Sequence, residues 1–228
     1  MIKLILWDLD STLIDFDIPE RNSIIHCFED FNLGPCPKAF LDEYHSINIK
    51  WWERLENGEL TKPEILVGRF TEILSKYGYD ASIATDFNED YMNRLGDTVC
   101  PIENAVETVR ALKGKVVQVI ATNGVSRTQG KKIHGAGLDF IVDGIFVSEE
   151  LGADKPNVVF YNKILERYPQ FERNEIMMVG DSLSSDMTGA NRAGIVSCWY
   201  NPQHKKLDRD LKIDFEIDDI TQVMEVIK

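Results

Sequence analysis

The sequence of 228 residues predicts an α/β fold, a doubly wound parallel sheet with an all-helical domain inserted near its start. Short apolar runs alternate with helical patterns, as a parallel sheet covered by helices on both faces requires. Several of the runs end in clusters of polar residues, at the strand ends where such sheets bind ligands. The alternation then fails between residues 18 and 95, where helical patterns follow one another without a convincing strand.

The first run, residues 2–7, is almost continuously apolar, as a strand buried on both faces should be. It ends in Asp8, Leu9, Asp10, Ser11 and Thr12. Further strands are predicted over residues 116–121, 144–147, 175–179 and 195–199. Between them, apolar residues at helical spacing predict helices over residues 102–112, stopping at Gly114, and over residues 157–167, after Pro156. In the insertion, Asn57-Gly58 and Tyr77-Gly78-Tyr79 punctuate helices, and Pro101 marks the return to the core. The expected domains are an α/β core of residues 1–17 and 96–228 and a helical insertion of residues 18–95. The stretch from residue 208 to 219 is rich in charge. It lacks the alternating acids and glycine of a calcium loop and reads as a solvated edge.

A formal net charge of −13 argues against nucleic-acid polymers and anionic membranes as partners. The N-terminal residues have neither the length nor the flanks of a signal peptide, and no stretch is long enough to span a membrane, so the cytoplasm is the expected location. Cys27, Cys36, Cys100 and Cys198 form no CxxC pair and are expected to be buried free thiols. His26, His134 and His204 show no ligand spacing.

Residues two apart on an extended chain point the same way, so Asp8 and Asp10 can converge on one small molecule. Thr122-Asn123-Gly124 follows the second strand, Lys155-Pro156 lies beyond the third, and residues 180–186, with Asp181 and Asp186, follow the fourth. Each cluster also has a plain structural reading, as a turn, a helix start or a helix cap. Their joint placement at strand tips makes coincidence a poor account.

Asp8/Asp10/Thr12, Thr122, Lys155 and Asp181/Asp186, in that order, resemble the four motifs of the haloacid dehalogenase superfamily of phosphohydrolases. The likeness covers the core, and the helical insertion is similar to the family's first class of cap. The resemblance implies that Asp8 attacks phosphorus to form an aspartyl-phosphate, and that Asp10 protonates the leaving alcohol and then deprotonates water. It implies Mg²⁺ held by Asp8, the backbone carbonyl of Asp10 and Asp181, with Asp186 acting from behind by orienting a water or Lys155. Thr122, Asn123, Gly124 and Lys155 would receive the phosphate, and Thr12 would support the loop. Superfamily dehalogenases expel halide, which needs no proton, and lack an acid at the position of Asp10, so a phosphatase is expected.

Residues 121–125, 147–157 and 194–201, with 57–61 and 68–70 of the insertion, are most similar to bacterial 5′-nucleotidases acting on pyrimidine nucleotides, including noncanonical ones. The implied partner is a small phosphate ester such as a nucleoside monophosphate. A sugar-phosphate or phosphoglycolate phosphatase or mutase is the alternative, and a non-catalytic phosphate-binding module a more distant one. Trp51, Trp52 and Arg69 are candidate substrate contacts, ranked above His45 and Arg54, although aromatic residues at helical spacing more often belong to a core.

Overall fold

A computed structural model describes residues 1–227. The chain runs β1 (Leu4–Trp7), α1 (Asp17–Asp30), α2 (Lys38–Glu56), α3 (Lys62–Lys76), α4 (Ala84–Leu95), α5 (Ala105–Leu112), β2 (Val117–Thr122), α6 (Ser126–Gly135) and β3 (Gly144–Val147). It continues through α7 (Ser148–Leu151), α8 (Val158–Leu165), β4 (Ile176–Gly180), α9 (Thr188–Ala193), β5 (Val196–Tyr200), β6 (Phe215–Ile217) and α10 (Val223–Val226). By contacts it divides into two compact units, residues 1–16 with 99–228, and residues 17–98.

The first unit carries a six-stranded sheet in the order β3-β2-β1-β4-β5-β6, every pair parallel. The strand order reverses beside β1, which pairs with β2 on one side and β4 on the other. A crevice opens at the carboxyl ends of such strands, so the topology directs a ligand to the residues after Trp7. The period-2 alternation of β1 supplies two cores at once. Ile5 and Trp7 pack with Val109, Ile133 and Met177 on one face. Leu4 and Leu6 join Phe160, Ile164 and Met178 on the other.

The second unit consists of helices α1 to α4 around an aromatic core. The Phe28 and Phe40 rings meet edge-on at 4.8 Å, and Tyr44 stacks on Phe70 at 4.8 Å. Thr61 opens α3 with a cap in which the Glu64 carboxylate accepts from the Thr61 backbone N–H and hydroxyl at 2.8 and 2.7 Å.

Several elements differ from the sequence-based expectation. The helix predicted from residue 102 begins at Ala105, because Asn104 adopts a left-handed conformation with φ 60°, which asparagine tolerates better than most residues. Helix α6 was not expected: its SRTQGKKIHG sequence holds two glycines and little apolar periodicity. Strand β6 lies inside the charge-rich stretch read as a solvated edge; at three residues, with Phe215 exposed and Ile217 buried, it is too short for alternation to reveal. All four cysteines are free, but Cys36 and Cys100 are only partly buried. His26, His134 and His204 are exposed. No helix of the described residues is long and apolar enough to cross a membrane.

Candidate active site

Strand β1 hands the chain directly to the site. The Asp8 backbone N–H donates to the Val179 carbonyl at 2.9 Å, extending the β1–β4 ladder by one residue, and the chain then turns sharply. Ser11 sits at φ 62°, and the N–H groups of Leu13 and Ile14 both donate to the Leu9 carbonyl at 2.9 Å. Thr12, fully buried, reaches back to Asp8 Oδ2 at 3.3 Å and Asp181 Oδ1 at 3.4 Å, and its hydroxyl accepts from the Asp181 backbone N–H at 3.1 Å. Thr12 therefore ties the loop after β1 to the loop after β4.

Lys155 lies at the centre of the carboxylates. Its side chain is 1% exposed, and Nζ donates to Asp8 Oδ1 at 2.6 Å and Asp186 Oδ1 at 2.7 Å. Asn123 grips the lysine's backbone from β2's end, Nδ2 donating to the Lys155 carbonyl at 2.9 Å and Oδ1 accepting from its N–H at 2.8 Å. The Asn123 side chain is thus a clasp on the lysine loop, which leaves its backbone N–H as the group expected to meet a phosphate. A turn of π-helix over Leu183–Met187 follows β4 and buries Asp186, whose Oδ2 accepts from the Ser182 N–H at 3.1 Å. Asp186 is also the most deeply buried of the three carboxylates, 0% exposed where Asp8 is 7% exposed and Asp181 only partly buried, so Asp8 and Asp181 are the better placed to meet a cation. Trp199 supports the Asp181 loop, its indole N–H donating to the Asp181 carbonyl at 2.9 Å.

The charges in this cluster do not balance. Burial pushes the Asp8 carboxyl up to about 7, with Asp186 and Asp10 adding repulsion and Lys155 opposing. Burial, then Asp8 and Asp186, raise Asp181 well above the usual carboxylate range. Burial alone would lower Lys155, yet the carboxylates of Asp186 and Asp8 hold it above the ordinary lysine value. Lys155 bonds to only two of the three carboxylates, and Lys205 opposes the rise at Asp181 without cancelling it, so the cluster when ionised is short of positive charge. The donors are oxygens, and Asp8, Asp181 and Asp186 each offer one within 4.8 Å of the others. A divalent hard cation fits both the charge and the donor set.

The second carboxylate of the sequence motif, Asp10, has separate partners. Lys132 Nζ donates to Asp10 Oδ1 at 2.6 Å, and Gln129 Nε2 donates to Asp10 Oδ2 at 2.9 Å and to Thr122 Oγ1 at 2.7 Å. Gln129 and Lys132, both buried on α6, escaped the sequence reading because nothing marked that segment as a helix facing the strand tips. Gly124 makes room for Gln129: a Cβ there would fall 2.6 Å from Gln129 Cδ.

In the helical unit, Arg69 departs from its expected substrate role. It is 1% exposed, and its guanidinium donates to Asn48 Oδ1 at 2.6 Å and Asn88 Oδ1 at 3.0 Å, tying three helices together. Trp51 donates to Glu72 Oε2 at 2.8 Å, and its ring lies so close to Gly68 that a Cβ there would sit 2.2 Å from it, so this ring serves the α2–α3 packing. Trp52 is half-buried on α2. His45 pairs with Glu20 and Asp17 at 2.8 and 3.3 Å, and Arg54 with Glu59 at 3.3 Å.

A family model for haloacid dehalogenase-like hydrolases matches residues 2–194. The hydrolase YfnB of Bacillus subtilis is 32% identical over 99% of this chain and 95% of its own. A crystal structure of YfnB bound to magnesium superposes with a TM-score of 0.94, covering 100% of this chain and 99% of that one. The pyrimidine 5′-nucleotidases PynA of Streptococcus pneumoniae and YjjG of Escherichia coli are each 30% identical. PynA matches over 94% of this chain and 90% of its own, YjjG over 89% and 87%.

Proposed function

Because the chain belongs to the haloacid dehalogenase-like hydrolase family, we propose that it is a magnesium-dependent phosphatase whose substrates are pyrimidine nucleoside 5′-monophosphates. The observation that carries this reading is the charge-deficient cluster of Asp8, Asp181, Asp186 and Lys155, set beside an Asp10 that has donors of its own.

Uncatalysed phosphate-monoester hydrolysis is so slow that enzymes supply up to ~10²¹-fold acceleration, about 28 kcal/mol, which no one group provides. Asp8 attacks phosphorus while the ester P–O bond breaks. The departing alkoxide takes a proton from Asp10, leaving an aspartyl-phosphate on Asp8 and a free alcohol. Water then attacks the phosphorus, giving its proton to the Asp10 carboxylate, and the bond between phosphorus and the Asp8 oxygen breaks to release phosphate. Lys155 offsets the anionic oxygens of the substrate and of the intermediate, and the Thr122 hydroxyl donates to the phosphoryl group. Asp8 and Asp181, with the Asp10 backbone carbonyl, would hold Mg²⁺, and Asp186 would keep Lys155 oriented. When bound, the ion supplies positive charge that favours ionised Asp8 and neutralises phosphoryl oxygens.

Asp10 also favours ester hydrolysis over dehalogenation, since a halide leaves without a proton. The similarity of both PynA and YjjG over nearly the whole chain supports the nucleotide preference. Four free thiols and the absence of a membrane-spanning helix among the described residues suit a cytoplasmic enzyme.

A panel of nucleoside monophosphates, hexose phosphates and phosphoglycolate, ranked by kcat/KM with Mg²⁺ and with EDTA, tests the reading. Pyrimidine nucleotides should rank first and EDTA should abolish turnover. A preference for hexose phosphates or phosphoglycolate would overturn the substrate assignment, and activity undiminished by EDTA would overturn the metal requirement.

A further inference from the structure

Helix α6 presents two buried polar side chains one turn apart, Gln129 and Lys132, which are 2% and 1% exposed. Burying an ammonium is costly unless it is paired, so an inward-facing lysine calls for a partner. Its partners are Asp10 Oδ1 at 2.6 Å and the face of Phe16, whose ring centroid lies 4.9 Å from Nζ. Gln129 takes the other Asp10 oxygen. A carboxylate held by one donor can still rotate about its Cβ–Cγ bond; held by a donor on each oxygen, it has one orientation.

The Gln129 amide extends the control to Thr122. The amide nitrogen faces both Asp10 Oδ2, at 2.9 Å, and Thr122 Oγ1, at 2.7 Å, so its two hydrogens serve the two oxygens. The threonine oxygen is thereby an acceptor on the helix side, which leaves its own proton to donate elsewhere. Gly124, two residues after Thr122, has no side chain to obstruct this amide.

We propose that Lys132 and Gln129 are positioning residues, a clamp from α6 that orients the Asp10 carboxyl for proton transfer to the leaving oxygen and directs the Thr122 hydroxyl proton towards the phosphoryl group. The inference rests on the phosphatase reading above. It makes leaving-group protonation depend on a helix with no motif residue of its own. The step served is the first one: Asp10 enters it protonated, the proton on a lone pair that neither Lys132 nor Gln129 occupies, and as the ester P–O bond breaks and the Asp8–phosphorus bond forms, that proton passes to the alkoxide oxygen.

The test compares esters that need that proton with one that does not. Uridine 5′-monophosphate and glycerol phosphate release alkoxides, whereas p-nitrophenyl phosphate releases a stable phenolate. Only steps through formation of the aspartyl-phosphate enter kcat/KM, and the ratio of two substrates in one sample is independent of the folded fraction. General acid catalysis is typically worth about 10²-fold or more. Lys132→Met should therefore lower kcat/KM for the alkyl esters by about 10²-fold and shrink the alkyl-to-aryl ratio about ten-fold or more. Lys132→Arg should restore that ratio to within about three-fold of the wild-type value. In an Asp10→Asn background, where the ratio has already collapsed, Lys132→Met should shift it no further. Gln129→Leu breaks the other arm and should shift the ratio in the same direction, which keeps the test open if Lys132→Met is insoluble. Equal losses on alkyl and aryl esters, or the same shift with and without Asp10, would overturn the clamp. A wild-type protein that cleaves none of the three esters would instead overturn the phosphatase reading, so the two failures are distinct.

Discussion

Two regions of this protein bury charged side chains, and they do so in opposite ways. In the helical unit, Glu20 is buried with Oε1 accepting from Asn48 at 2.9 Å and Oε2 facing His45 at 2.8 Å, while Arg69 continues the chain through Asn48 and Asn88. Positive and negative groups alternate there through neutral amides, and the network links helices α1 to α4. In the α/β unit, Asp8, Asp181 and Asp186 crowd together, with Lys155 the one ammonium bonded among them, to Asp8 and Asp186. Burial of charge is common to both; imbalance belongs only to the second. Balanced charge holds helices together, whereas a surplus of buried carboxylates favours binding of a cation.

The contrast predicts different responses to mutation. Asp8→Asn should reduce phosphatase activity by about 10⁴-fold or more in a steady-state assay while the circular dichroism spectrum stays native; a protein that keeps its activity would sink the nucleophile assignment. Lys155→Met should lower activity by about 10²-fold or more and stability by about 3–5 kcal/mol in urea unfolding, since it strands two buried carboxylates. Arg69→Met should lower stability by about 2 kcal/mol, the cost of unmade buried hydrogen bonds, and leave the Mg²⁺-induced rise in Tm intact.

Asp181→Asn sharpens the comparison from the other side. Removing one member of a repelling trio should raise Tm in EDTA by a few degrees, at about 2–4 °C per kcal/mol for a chain of this length. The same substitution should abolish the Tm rise that Mg²⁺ gives the wild-type protein, as differential scanning fluorimetry would show. A lowered Tm in EDTA would mean that the cluster is not charge-deficient. The smallest effect is expected at His45. The hydrogen bond that His45 donates to Glu20 raises it above its usual 6.5, aided by the charges of Glu20 and Asp17 against burial and Arg21. Its stabilising contribution is therefore complete below about pH 6.5 and disappears as pH rises through the higher folded value. The Tm difference between wild type and His45→Gln should shrink over that interval; a difference that grows with pH would contradict the assignment.

The difference between the regions also explains what the sequence disclosed. Asp8, Asp10, Thr122, Lys155, Asp181 and Asp186 were legible because strongly apolar strands, or the loops just beyond them, deliver each one to the same edge of a parallel sheet. Gln129 and Lys132 were not, because α6 buries polar residues and interrupts itself with Gly130, so its periodicity carries little signal. Arg69 misled for a related reason. Whether an arginine faces solvent or bridges Asn48 and Asn88 is settled by tertiary packing, which a helical repeat does not encode. Strand β6 was hidden by brevity: three residues at a sheet edge give a single alternation within a charged segment.

The central claim of the proposed mechanism, that Asp8 is the nucleophile, can be read directly from the protein. Borohydride added during turnover reduces an aspartyl-phosphate to homoserine, and the tryptic peptide spanning residues 4–21 contains Asp8, Asp10, Asp15 and Asp17. Fragmentation of that peptide should place the reduced residue at position 8, only when both Mg²⁺ and substrate are present. Reduction at Asp10, or an unmodified peptide recovered from a mixture quenched while the ester is being cleaved, would contradict the account.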